Sequence, residues 1–299
     1  MKYFALPFTA MGSPCEIKLY ADSRSYARQV ARDVMQELER LEQRYSRYRD
    51  NSYLSEINRV AAKGGEIEVD EETARLLDYA RTCYDQSDGL FDITSGLLRK
   101  AWDFKSGQLP SPDHIDSLLA RIGWDKLQWE APVLRFPVPG MEIDFGGVVK
   151  EFAVDRAAVC CQQAGIQHGL VNLGGDLRVV GPQADGSPWR VGIRHPRNPD
   201  AVLHTLELSA GAMASSGDYE RCISLNGKRY GHVLNPTTGW PVSTLAAVTV
   251  IGDFCVVAGS ASTIAMLKED QGKAWLAELG LPHLWVDTDG NTGGSLLRD

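Results

Sequence analysis

The chain changes texture near Lys126, and that change restricts the fold more than any other feature. Before it, apolar residues recur at helical spacing. Val30, Val34, Leu38, Leu41 and Tyr45 lie three or four residues apart behind Ser23. This predicts an amphipathic helix from Ser23, its N-cap, to about Tyr45. Asp70 to Ser87 predicts a second helix, opened by acidic residues and closed before Asp88-Gly89. The turn Leu109-Pro110-Ser111-Pro112-Asp113 caps a third near His114 to Ile122. After Lys126, short β-like runs take over at Val133–Phe136, Glu142–Phe145, Gly169–Leu173, Trp189–Ile193, Leu203–Leu208 and Ala246–Ile251. Helices interrupt them near Val149–Ala164, Val256–Lys268 and Gly272–Leu279. Met11 to Tyr20 alternates as an early strand. The expected class is α/β (α+β), with a mixed, largely antiparallel sheet and an N-terminal helical lobe. No linker or repeat divides the chain. The expectation is one domain over 1–299, with the lobe at about 21–125 and the sheet-rich core at about 126–299 plus a strand at 11–20.

The formal net charge of −8 disfavours a phosphate-backbone partner, so no nucleic acid is expected. Small anions remain possible ligands, because glycine loops and helix N-termini bind phosphate regardless of global charge. The N-terminal apolar patch is broken at Pro7, and no later run is long enough to span a membrane. A cytoplasmic location is expected, although a chain trimmed of an export signal would read the same. Six cysteines show no CxxC and no zinc spacing, so reduced, buried thiols are expected.

The chain has no GxxxxGK[ST], GxGxxG or HExxH. What it has is a series of segments that set glycine beside an acidic or hydroxyl residue at predicted turns. These are Met11-Gly12-Ser13, Tyr45 to Ser52, Asp88-Gly89-Leu90-Phe91-Asp92-Ile93-Thr94-Ser95-Gly96, Ile143-Asp144-Phe145-Gly146-Gly147 leading to Lys150 and Asp155, and Val171-Asn172-Leu173-Gly174-Gly175-Asp176. In the fourth, a strand is expected to end in a carboxylate. Two glycines then let backbone approach a ligand, and a helix begins whose free N–H groups can meet a phosphate. Lys150 in the first turn can reach an anion. Taken singly, each segment also reads as an ordinary turn or cap.

The last polar stretch is Ser215-Ser216-Gly217-Asp218-Tyr219, then His232-Val233-Leu234-Asn235-Pro236-Thr237-Thr238-Gly239. A histidine just ahead of a backbone reversal is held at the mouth of a pocket, and its near-neutral pKa suits proton transfer. By itself, His232 reads equally well as a structural histidine.

In this order, from about Met11 to Thr263, the segments resemble those of the ApbE family, the FAD:protein FMN transferases. The resemblance implies an ApbE-like, T-fold-like domain that moves FMN from FAD to a threonine or serine hydroxyl of an acceptor protein and releases AMP. It implies FAD contacts at Met11, Tyr48, Leu90, Phe91, Asp92, Asp144, Lys150, Val233 and Leu234. It implies proton transfer at His232, and Mg2+ at the FAD diphosphate held through the carbonyl of Gly147, an aspartate position and Thr263, with Ser260 or Ser262 able to offer a neutral oxygen in this chain. Thr263 thus stands with His232 in the catalytic set.

One departure matters. The family's metal segment reads Ala-Asp-Ala-x-Ala-Thr, and this chain has Ala258-Gly259-Ser260-Ala261-Ser262-Thr263. The anionic ligand is replaced by Gly259, and a hard dication favours carboxylate oxygen. Glu151, where relatives often have glycine, reads either as a replacement carboxylate or, the expectation favoured here, as a solvated helix residue. An alternative function follows from the loss at Gly259: an FAD-binding protein with little transfer activity, or an FAD pyrophosphatase.

Overall fold

The computed structural model describes residues 1–198 and 200–297. Ser23 caps the first helix, α1 (Arg24–Tyr45), by accepting a hydrogen bond from Tyr26 N at 3.2 Å. Such a cap contributes about 1 kcal/mol. Val30, Val34, Leu38, Leu41 and Tyr45 are all buried, as their spacing predicts. Next come α2 (Tyr53–Lys63), α3 (Glu71–Gln86, capped by Asp70), α4 (Pro112–Leu119, capped by Ser111), α5 (Val149–Gln163), α6 (Cys255–Leu267) and α7 (Gly272–Leu279).

The main sheet has eight strands: Lys2–Ala10, Ser13–Ala21, Gly169–Leu173, Asp176–Gly181, Ala212–Gly217, Leu245–Gly252, His283–Asp287 and Thr292–Gly293. They lie side by side in chain order, and every neighbouring pair is antiparallel. The sheet is therefore a meander with insertions. Helices α1 to α5 enter between its second and third strands, the hairpin Trp189–Arg194/Val202–Leu208 between the fourth and fifth, and α6 and α7 between the sixth and seventh. Alternate residues face opposite ways. Ile17, Leu19, Val171 and Val248 join a core with Leu38, Leu54, Leu77, Val154, Ala158 and Ile264 of the helices. Leu170, Leu177, Met213 and Leu284 join Trp189, Ile193 and Leu206 of the hairpin. Helices cover one face and the hairpin the other. Asp176, Ser215 and Ser216 come from the two central strands.

Four sequence expectations change. Lys2–Ala10 forms a strand where none was expected, with Pro7 inside it. It lies at the sheet's edge, where a missing N–H is tolerated. Met11 and Gly12 form the two-residue turn after it, both with positive φ (49° and 71°), so the second strand begins at Ser13 rather than Met11. Helix α2 behind Ser52 went unpredicted, although Ser52 Oγ caps it through Ser55 N at 3.0 Å. Glu142–Phe145 is not a strand. Its alternation is real, since Met141, Ile143 and Phe145 are buried. Its backbone, however, pairs with a side chain and not with a neighbouring strand. Asn58 on α2 donates to Ile143 O at 2.9 Å and accepts from Ile143 N at 2.8 Å. Asp144 N then donates to Ile93 O at 2.8 Å.

Candidate active site

His232 follows the short strand Lys228–Gly231 and opens a closed loop. Val242 N donates to Val233 O, Asn235 N donates to Trp240 O, and Leu234 bridges to Pro241. Asn235 Oδ1 accepts from Thr237 N at 2.8 Å, the side-chain turn that Asn-Pro-Thr encodes. Gly239 (φ 72°) has no room for a Cβ, which would collide with Ile115. Its carbonyl accepts from Trp102 Nε1 at 2.8 Å, so α4 and the Trp102 cluster hold the loop in place. His232 is accessible to solvent. Even so, desolvation by surrounding protein lowers its pKa, and Arg221 lowers it further against opposition from Glu220. The ring stays neutral near pH 7 and is available as a base.

Arg221 links this loop to a second polar group. Tyr48 OH accepts from Arg221 Nη1 at 3.2 Å and from Arg47 Nη2 at 2.9 Å. Burial opposes ionisation of Tyr48, but the two guanidinium donors outweigh it and lower the phenol pKa. Arg47 also pairs with Asp144. Asp144 Oδ1 accepts from Gly146 N at 2.9 Å, the turn that leads into α5. Gly96 packs so closely on Asp144 that a Cβ would overlap it. Tyr48 is 71 % exposed, and the Arg47 guanidinium lies over its ring, 5.0 Å from the centroid.

The Asp88–Gly96 segment builds the floor. Phe91 N donates to Ser87 Oγ at 2.7 Å, and Leu90 packs at the core's edge. Asp92 is buried. It accepts from Thr94 N and Thr94 Oγ1 at 2.7 Å and from Trp124 N at 2.9 Å, so its carboxylate braces the loop. Gly147 lies against Phe91, where a Cβ would stand 3.2 Å from the ring. Met11 N donates to Glu42 Oε2 at 3.0 Å.

Between α5 and α6 lies a cluster of charges. Asp155 Oδ1 accepts from Cys255 N at 2.9 Å and Oδ2 from Val256 N at 3.0 Å, which caps α6 from the neighbouring helix. Arg178 Nη1 donates to Asp155 at 2.9 Å. Lys150 Nζ forms an ion pair with Asp176 Oδ2 at 2.5 Å. Asp176 Oδ1 accepts from Ser215 N at 3.0 Å. Beside it, Ser216 Oγ lies 2.8 Å from both Ser262 Oγ and Thr263 Oγ1. Ser262 Oγ donates to Gly259 O at 2.8 Å.

The expectation of a solvated Glu151 fails. The residue is 9 % exposed, and its Oε2 is buried without a hydrogen-bond partner. Its side chain occupies the volume in front of Gly259: a Cβ there would collide with Glu151 Cγ and stand 3.1 Å from Cδ. Desolvation and the neighbouring Asp176 raise the Glu151 pKa, partly offset by Lys150.

This arrangement has known counterparts. The ApbE family model matches residues 11–285. The chain belongs to the ApbE family. It is 29% identical over 273 residues to the FAD:protein FMN transferase of Vibrio cholerae, covering 89% of this chain and 80% of that protein. It is 28% identical over 284 residues to the enzyme of the same name from Haemophilus influenzae, covering 90% and 82%. Among solved structures, the ApbE protein of Thermotoga maritima superimposes with a TM-score of 0.90 at 29% identity, over 98% of this chain and 97% of that one. The apo flavinyl transferase ApbE of Pseudomonas stutzeri gives 0.86 at 28% identity, over 98% and 94%. The mixed fold with its antiparallel sheet is thus the ApbE fold.

Within this ApbE chain, Asp144 and Tyr48 are joined through Arg47, and Arg221 links Tyr48 to the strand pair that leads into His232, Val233 and Leu234. Lys150, Ser262 and Thr263 belong to the α5–α6 group. Lys150 contributes to lowering the His232 pKa, so the two groups lie within electrostatic reach. Sequence reasoning passed over Arg47, Ser216, Asp176 and Arg221 as site residues. Each lies inside or beside a polar segment it had already singled out, and that was the available signal.

Proposed function

We propose that this ApbE chain is an FAD:protein FMN transferase. It would move FMN from FAD to a threonine or serine hydroxyl of an acceptor protein and release AMP. The observation that carries the reading is His232, held neutral and accessible on a rigid loop beside Arg221 and the exposed Tyr48. Tyr48 offers a stacking surface for a flavin or adenine ring. Arg47, Arg221 and the glycine turn ahead of α5 offer donors to a diphosphate. The acceptor oxygen would form a bond to the FMN-side phosphorus as the bond to the AMP oxygen breaks. The hydroxyl proton would pass to His232, and AMP would leave with the bridging oxygen.

A divalent ion at the diphosphate would polarise its oxygens and offset developing charge. Among the described residues, no group of three or more His, Cys, Asp or Glu side chains is placed to hold a metal. Hydroxyl and carbonyl oxygens would have to contribute, and Gly147, Ser262 and Thr263 are the candidates. The orphaned Glu151 oxygen supports a cation at this place. It also weakens the alternative of a binder that lacks an anionic ligand.

The test is incubation with FAD, Mg2+ and a threonine-bearing acceptor peptide. Peptide fluorescence from flavin that survives denaturation, with one AMP released per flavin, is expected. Tight FAD binding with no transfer would replace this reading with the binder. AMP and free FMN formed equally without acceptor would replace it with a hydrolase.

A further inference from the structure

Helices α5 and α6 face each other with an exchange of volume between them. On α6, Gly259 presents no side chain, and Ser262 and Thr263 follow within one turn. Residues four apart share a helix face, so position 259 lies directly below Thr263. On α5, Glu151 fills the vacated volume, and its Oε1 would stand 3.3 Å from a Cβ at 259. Its carboxylate therefore occupies space that an acidic side chain at 259 would claim.

The charges around it do not balance. Asp155 is met by Arg178 and two backbone N–H groups, and Asp176 by Lys150 and Ser215 N. Glu151, nine-tenths buried, has one oxygen with no donor at all. The Tyr79 hydroxyl on α3 lies 3.0 Å from both Ser260 Oγ and Val256 O, so its single proton is engaged there. A buried carboxylate with no partner is strongly disfavoured unless a proton or cation meets it. The nearby oxygens on α6 and at Ser216 are hard neutral donors, which suits Mg2+ or Mn2+ rather than a soft metal.

We infer that Glu151 supplies the anionic metal ligand of this site, moved from α6 to the facing α5, and that Gly259 is glycine to make room for it. This rests on the transferase reading, which places a diphosphate and its cation here. It adds that the ligand set has been rewired while its charge is kept.

The test is Mn2+ binding followed by electron paramagnetic resonance, on the full chain with FAD present. FAD binding is measured separately by flavin fluorescence in EDTA. Glu151→Gln should weaken Mn2+ binding by roughly tenfold or more while FAD affinity in EDTA holds. The double variant Glu151→Gly with Gly259→Asp should recover Mn2+ binding, because the carboxylate returns to the same volume from the other helix. Melting gives an independent readout. Glu151→Gln should raise the metal-free melting temperature and lose the rise that Mg2+ gives the wild type with FAD. Wild-type Mn2+ affinity in Glu151→Gln, or a fall in its metal-free melting temperature, overturns the inference while leaving the transferase reading standing. A wild type that binds no FAD in EDTA or in Mg2+ takes both down.

Discussion

The two halves of the site solve the problem of charge differently. On the accessible side, Asp144, Arg47, Tyr48 and Arg221 form a chain in which every charged group has an opposite or polar partner. On the buried side, Glu151, Asp155 and Asp176 face Lys150 and Arg178, and one carboxylate is left over. On the proposed reading, the first half would receive a planar ring and an anion. The second is short of positive charge and suits a cation. On that reading, donors on one side and a cation on the other would hold a diphosphate from both ends.

The comparison breaks most visibly at His232. His232→Ala should lower the flavin transfer rate by ~10²–10⁴ with little change in FAD affinity, because it removes a base and not a binding surface. Single-turnover transfer to peptide checks this, and an unchanged rate retires His232 from proton transfer. Next, Lys150→Met removes one of two cations from a buried cluster that already lacks one. It should destabilise the fold by about 3 kcal/mol or more in urea titration. The matching change in the accessible half, Tyr48→Phe, should cost under about 0.5 kcal/mol, since that hydroxyl lies at the surface. Equal losses in the two would erase the contrast between the halves.

Gly259→Asp alone should destabilise by about 1–3 kcal/mol, because its side chain enters volume that Glu151 fills. Combined with Glu151→Gly the loss should shrink, giving a coupling of about 0.5–3 kcal/mol in a double-mutant cycle. Additive losses would mean that the two positions do not share space. The smallest effect concerns pH. Desolvation and Arg221 both lower the His232 pKa, so the base form persists below an ordinary histidine's value of about 6.5. The acid limb of the transfer rate should therefore lie under that value. Arg221→Gln removes a cation that disfavours imidazolium, so it should move the limb to higher pH. A limb that stays or moves down would show that Arg221 does not act on His232.

Much of this was readable along the chain. Ser23, Asp70 and Ser111 cap the helices they precede, and the buried face of α1 follows its apolar spacing. The glycine turns at Gly174-Gly175 and Gly239 fall where their residues demand positive φ. These features depend on residues within a turn or two of each other, so a linear reading contains their causes. The family resemblance has the same basis, since its motifs are short turns in a fixed order.

Other features needed the folded chain. Glu142–Phe145 alternates like a strand, yet Asn58, 85 residues away, takes its hydrogen bonds. Tyr48 meets Arg221 across 173 residues. Glu151 reads as solvated on a helix until α6 brings Gly259 against it and leaves its carboxylate dry. Backbone dihedrals and caps are local energies, and a linear pattern records them. Burial, desolvation and the shared volume of two side chains arise only when distant segments pack, so no spacing along the chain can encode them by itself.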